Sequence, residues 1–172
     1  MEKEKTTVEF FRKHLKTSGG VESFIKHLMQ HGQQNVHTPF ALCKEIIVKL
    51  QENTALDDKK IAVLFNVEFL HVLVNDFGVD VDHIFMFADD SVEMEFCRLQ
   101  YKMKVGVNLF LIDIGKTVEE KELYTTEGKI DMKFDVIVGN PPYQSPRKDG
   151  GKGATGNTIW DKFVHLSLGL VE

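Results

Sequence analysis

Val136-Ile137-Val138-Gly139-Asn140-Pro141-Pro142-Tyr143 runs from a short apolar stretch into a stiff loop. Phe134-Asp135 precedes it. The apolar, β-branched residues predict a buried strand. Two consecutive prolines then fix φ, remove two backbone donors and hold the residue before each in extended geometry. The loop is therefore a rigid finger at the carboxyl end of a strand, the end at which open α/β sheets bind ligands. Asn140 offers a side-chain carbonyl and Pro141 a main-chain carbonyl. Two acceptors held together suit an amine with two hydrogens. An aromatic amine is a poor nucleophile because its lone pair is delocalised, and two such bonds would localise that pair. Tyr143 offers a face on which a flat base can stack, as a base taken out of a duplex requires.

Asn140-Pro141-Pro142-Tyr143 resembles the catalytic motif of the amino-methyltransferases, above all the adenine-specific DNA methyltransferases of restriction–modification systems. The resemblance implies a Rossmann-like, doubly wound parallel sheet and S-adenosylmethionine as cofactor. It implies double-stranded DNA as partner, with the target adenine flipped out. Asn140 and Pro141 would accept the amine hydrogens, Pro142 would set the geometry and Tyr143 would stack on the base. No metal is implied. Protein glutamine and RNA bases are alternative substrates of the same motif.

The chain of 172 residues is long enough for one domain with a real core. Its 42% hydrophobic and 27% charged residues are those of an ordinary globular protein. No run of eighteen apolar residues predicts a membrane span. The charged start, Met1-Glu2-Lys3-Glu4-Lys5, lacks an apolar signal core. Cys43 and Cys97 are isolated thiols that suit a reducing cytosol, so a cytoplasmic location is expected. The net charge of −5 argues against simple DNA binding, which needs cations for the phosphates.

Residues 1–36 read as an N-terminal helical segment and 37–172 as a partial catalytic domain. Helices are expected over 6–18 and over Val21 to His31. His27 and His31 are spaced i, i+4, but no third metal ligand is near in sequence, and two solvated positions are the favoured reading. Thr38 is the expected N-cap of a third helix, with Pro39 at its first position. By the resemblance, Thr38-Pro39-Phe40 matches the first cofactor motif, where a helix start meets the methionine part of the cofactor. A carboxylate at a helix N-terminus fits the dipole.

Ile61 to Phe65 predicts the first strand and Val67 to Phe77 the helix after it. The junction Phe65-Asn66-Val67-Glu68-Phe69 occupies the place of the family's main cofactor motif. It carries none of the glycines that usually let the backbone approach the ligand. Divergent members resemble it in a Leu-Phe-Asn-X-Glu-Phe junction, so Phe65, Asn66 and Glu68 are expected cofactor residues.

His83 to Ala88 predicts a second strand, closed by Asp89-Asp90. One acid is expected to hold ribose hydroxyls and the other to cap a helix over Ser91 to Met103. Val107 to Ile112 predicts a third strand. Asp113 after it is either a polar loop entry or, by the resemblance, a contact to the cofactor's adenine amine. Thr117 to Thr126 reads as a short helix or an irregular crossover, and Phe134 to Gly139 as the fourth strand. A last amphipathic helix is expected over Ile159 to Val171.

Four strands separated by helices predict a parallel α/β sheet, with Phe65-Asn66, Asp89, Asp113 and Asn140 along one edge. Arg147, Lys148 and Lys152, in a glycine-rich loop, are candidate phosphate contacts, with a solvated loop as the other reading. The full family pattern continues with further strands and a basic target-recognition domain. The chain is thus expected to be truncated after the fourth strand and its helix. A second chain would then supply the remaining strands, or the module would be inactive alone.

Overall fold

The computed structural model describes residues 11, 13, 20–31, 38–141 and 159–172. The helix expected over 6–18, the side chains of His27 and His31, and Pro142, Tyr143, Arg147, Lys148 and Lys152 lie outside the described residues.

In chain order the elements are α1 (Val21–His31), α2 (Phe40–Gln51), β1 (Ile61–Leu64), α3 (Val67–Asn75), β2 (Ile84–Ala88), α4 (Ser91–Gln100) and β3 (Leu109–Leu111). Then follow α5 (Ile114–Glu120), β4 (Tyr124–Thr125), β5 (Gly128–Lys129), β6 (Val136–Gly139) and α6 (Trp160–Leu170). The main sheet has the order β3-β2-β1-β6, and every pairing in it is parallel.

Alternation along the strands builds the two layers. Ile61 and Val63 of β1, Ile84 and Met86 of β2, and Val136 and Val138 of β6 share one core with Phe24, Ile47, Leu70 and Phe96 of α1 to α4. Ala62, Leu64 and Phe87 enter a second core with Phe163, Leu166 and Leu170 of α6. Helices thus cover both faces of a Rossmann-like doubly wound sheet.

At its amino end β6 is pinned to β1 by Asp135, whose carboxylate accepts from the Lys60 backbone N–H at 2.8 Å. That bond, with help from Lys59, holds the Asp135 carboxyl below its ordinary value. Beyond this, Phe134 exchanges main-chain bonds with Leu170 and Glu172.

Three sequence expectations are corrected. The stretch from Thr117 to Thr126 is neither one helix nor an irregular crossover. Its helix starts earlier, at Ile114, where the Asp113 side chain accepts from Lys116 N–H at 3.0 Å. Lys121, at φ 59°, ends that helix, and the β4–β5 hairpin follows. The third strand does not start at Val107. Gly106 (φ 75°) and the Asn108 side chain, which accepts from Lys104 N–H at 2.8 Å, fold residues 104–108 into a turn and leave Val107 60% exposed. Nor does Thr38 cap α2. Pro39 is the N-cap residue, and its ring has no acceptor with which to cap; the Thr38 hydroxyl bonds Asn66 and Asn140.

Candidate functional site

Parallel register places Leu64 beside both Phe87 and Gly139, and Ala88 beside Leu111. Phe65-Asn66, Asp89, Asp113 and Asn140 therefore leave the sheet on the same, carboxyl, edge. They are not equidistant. Strands lie about 4.8 Å apart, so Asp113 on β3 is three spacings, roughly 14 Å, from Asn140 on β6. β1 lies beside β6, which makes Asn66 and Asn140 neighbours.

The first junction turns sharply without glycine. Phe65 has φ 58°, a left-handed conformation that costs a residue with a Cβ about 1–2 kcal/mol. Burial offsets that cost. The Phe65 ring is 1% exposed and meets Phe163 edge-on at 5.0 Å. The backbone bend that a glycine would permit is thus held by an aromatic anchor.

Asn66 then caps α3, its Oδ1 accepting from Phe69 N–H at 3.2 Å. Because Oδ1 is committed to the cap, Nδ2 points the other way and donates to Thr38 Oγ1 at 2.9 Å. Asn140 Nδ2 donates to the same hydroxyl at 3.2 Å. Thr38, Asn66 and Asn140, from three separate stretches of chain, form one hydrogen-bonded cluster. Thr38 and Asn66 are buried within it.

Of the other expected residues, Pro39 is exposed and Phe40 half-buried. The Phe40 ring lies 5.3 Å from His71, edge to face. Glu68 is fully buried in the first turn of α3, where the helix dipole favours an acid. Of the two acids after β2, Asp90 is the cap: its Oδ1 accepts from Val92 and Glu93 N–H, both at 2.7 Å. Asp89 is left at the strand end, half-buried. Asp113 is exposed and spends one oxygen on its own helix.

Two residues of the site escape a reading by motif. Gly139 packs so closely on β1 that a Cβ there would stand 2.2 Å from the Leu64 carbonyl oxygen. Its only signal in sequence is a glycine interrupting a β-branched run just before Asn140. Glu93 is 2% exposed, and one of its oxygens accepts from Asp89 N–H at 3.4 Å. Its other oxygen, Oε1, has no hydrogen-bond partner among the described residues. Burial pushes its pKa well up, and the charges of Asp89, Asp90 and Glu68 push it further. Burial and its acidic neighbours thus favour the protonated form of Glu93 behind the end of β2. Its place three residues after Asp90, a reciprocal capping position, was the available signal.

A raised carboxyl pKa makes stability fall as pH rises. Above the ordinary value of 4.5 the unfolded chain gives up the Glu93 proton while the folded chain keeps it. Glu93→Gln removes this dependence and keeps an acceptor for Asp89 N–H. Urea titrations from pH 5 to 8 are expected to show the variant gaining on the wild type as pH rises. The limiting slope is about 1.4 kcal/mol per pH unit. Parallel profiles would mean that Glu93 ionises as an exposed acid does.

A family model described as Eco57I restriction-modification methylase matches residues 7–170. A Mycoplasma pneumoniae (strain ATCC 29342 / M129) protein described as an uncharacterized adenine-specific methylase is 27% identical over 128 residues. That match takes in 72% of this chain and 30% of the relative, so the chain spans well under half of that protein's length. No solved structure matches. No helix among the described residues is long and apolar enough to cross a membrane.

Proposed function

This chain belongs to the Eco57I restriction-modification methylase family, and from that premise we propose that it is the cofactor-binding and amine-binding part of a DNA adenine methyltransferase. The observation that carries the reading is the junction of Asn66 and Asn140 through Thr38. It sets the residue that would receive a base amine directly beside the loop that would receive the methyl donor.

The residues suit S-adenosylmethionine on three counts. The carboxyl edge is acidic, with Asp89 and Asp113 following β2 and β3, and the donor carries positive charge on its sulfonium and ammonium groups. Asp89 follows β2, and the end of the second strand is where this class of fold binds ribose hydroxyls. The bend at Phe65 supplies the left-handed turn for which this junction ordinarily uses glycine. When bound, the cofactor supplies an electrophilic methyl group. The chain's own contribution is positioning. Asn140 Oδ1 and the Pro141 carbonyl would hold the two amine hydrogens of a flipped adenine and draw the nitrogen toward a pyramidal geometry. Tyr143 would stack on the ring, and Arg147, Lys148 and Lys152 would reach the flanking phosphates. Rigid acceptors aimed at the reacting atom are worth more than flexible ones because nothing reorganises as the bond forms.

Calorimetric titration with S-adenosylmethionine and with S-adenosylhomocysteine tests this. Saturable binding is expected. Asp89→Ala is expected to weaken it about 10- to 100-fold, the worth of hydrogen bonds to a charged acceptor. A well-folded chain that binds neither compound would end the reading.

A second reading, in which transfer needs further polypeptide, is favoured by the sheet itself. β6 is an edge strand: among the described residues Val136–Gly139 pairs only with β1. The helix α6 also exposes Trp160, Val164 and Leu168, the last by 70%. Bare edges and apolar stripes are normally covered. Cofactor binding without methyl transfer to DNA would select this second reading over the first.

A further inference from the structure

We propose that Thr38 is a positioning residue for Asn140: its hydroxyl accepts from the Asn140 amide and holds it with the nitrogen toward Thr38 and the carbonyl oxygen away. The role of that amide in transfer rests on the methyltransferase reading above; the orientation itself does not.

An asparagine side chain can sit either way round with little steric difference, yet only one way is useful here. With Oδ1 outward, Asn140 accepts the hydrogens of an amine. With Nδ2 outward, it meets those hydrogens with its own. In the structure the nitrogen faces Thr38, at the end of a chain of bonds from α3. Phe69 N–H fixes Asn66 Oδ1. Asn66 Nδ2 must then donate to Thr38 Oγ1, which takes one of the hydroxyl's two lone pairs. The second lone pair receives Asn140 Nδ2 at 3.2 Å. The Asn140 amide is thereby turned with its nitrogen toward Thr38 and its carbonyl oxygen away.

Two further observations single out Thr38 for this task. It directly precedes Pro39, the N-cap residue of α2, and its hydroxyl bonds Asn66 and Asn140 instead of a helix backbone. It is also 8% exposed, so water does not compete freely for the hydroxyl. One short side chain thus links the helix cap at the first junction to the end of β6. A shift of the α3 N-terminus moves Asn66, then Thr38, then the Asn140 amide. Through that path, occupation of the first junction would reach the acceptor.

The test is made on the ligand-free full chain by following the Asn140 side-chain NH2 protons by NMR, with thermal unfolding as a control. In wild type one Asn140 proton is expected to be held on Thr38 and to exchange with solvent slowly. Thr38→Val keeps the shape and removes the hydroxyl. It is expected to speed that exchange about tenfold, the worth of one hydrogen bond, and to shift the Asn66 NH2 signals as well. Thr38→Ser is expected to restore both. A wild-type Asn140 amide that exchanges as freely as an exposed one overturns the proposal, whether or not the valine variant folds. So does a folded Thr38→Val protein with unchanged Asn140 signals. Neither result depends on cofactor binding, so a failed titration with S-adenosylmethionine would count against the methyltransferase reading alone.

Discussion

Gly139→Ala is expected to lower the stability of the fold by about 3 kcal/mol, since overpacking against backbone costs roughly 1–3 kcal/mol and main-chain bonds are lost with it. The new Cβ would stand 2.2 Å from the Leu64 carbonyl oxygen, 2.9 Å from Leu64 Cβ and 3.0 Å from its carbonyl carbon. Two of these three atoms are backbone, so no rotamer change relieves the contact. β6 can only swing away from β1 at its carboxyl end. Its amino end cannot follow easily, because Asp135 is bonded to Lys60 N–H there. The strand would therefore splay. The first bond to open is Asn140 N–H to the Leu64 carbonyl, 3.2 Å in the wild type, and the Asn140 side chain would be carried off Thr38 with it. For a chain of this size the loss corresponds to a melting temperature lower by about 6–12 °C. Calorimetry checks the size. The Asn140 NH2 signals check the local claim: in a folded Gly139→Ala protein they should resemble those of Thr38→Val. An alanine variant as stable as wild type would mean that β1 and β6 are not packed this closely.

The same glycine shows where sequence reading succeeds and where it stops. Strands β1, β2 and β6 are continuous apolar runs, the mark of strands covered on both faces, and their parallel order follows from the helices between them. The caps Asp90 and Asp113 could be read as candidates, but not assigned. Two adjacent acids are chemically alike, and only the backbone trajectory decides that Asp90 reaches Val92 and Glu93. The β4–β5 hairpin was hidden because its strands are two residues each, too short for any alternation to register. Val107 was drawn into β3 by its apolar side chain, whereas the turn around Gly106 depends on a bond from Lys104 N–H to the Asn108 side chain.

The first junction is the more instructive case. Its sequence carries none of the glycines that usually make such a turn. The chain still takes the left-handed bend at Phe65, held by an aromatic contact to α6 nearly a hundred residues away. Glycine is one means to a positive φ, and a buried anchor is another. Likewise the bond from Asn140 to Thr38 joins residues 102 apart. No local pattern reports it, and the motif order gives only the expectation that both lie near one ligand.

Asn140→Ala should abolish most methyl transfer while leaving the fold and the cofactor site intact. Removing one preorganised hydrogen-bonding group from a reacting centre costs roughly 10²- to 10³-fold in rate, and Asn140 would supply one of only two acceptors for the amine. Its side chain is half-buried at the end of an edge strand, so truncation leaves no core cavity. Asn140→Asp separates acceptance from mere presence. The carboxylate keeps an oxygen for the amine but has no N–H for Thr38. The hydroxyl must then reverse and donate, which it can do because its own proton is not among the bonds that Asn66 fixes. Transfer by the aspartate variant should therefore fall far less than by alanine, with an unchanged affinity for S-adenosylmethionine in both. The check is single-turnover transfer of labelled methyl to DNA, with the cofactor affinity of each variant measured by calorimetry. If transfer is seen only when further polypeptide covers the β6 edge, the ranking of the variants should persist in that complex. Equal losses for alanine and aspartate would show that an acceptor at this position is not enough and that the amide N–H of Asn140, absent from both, is what transfer requires.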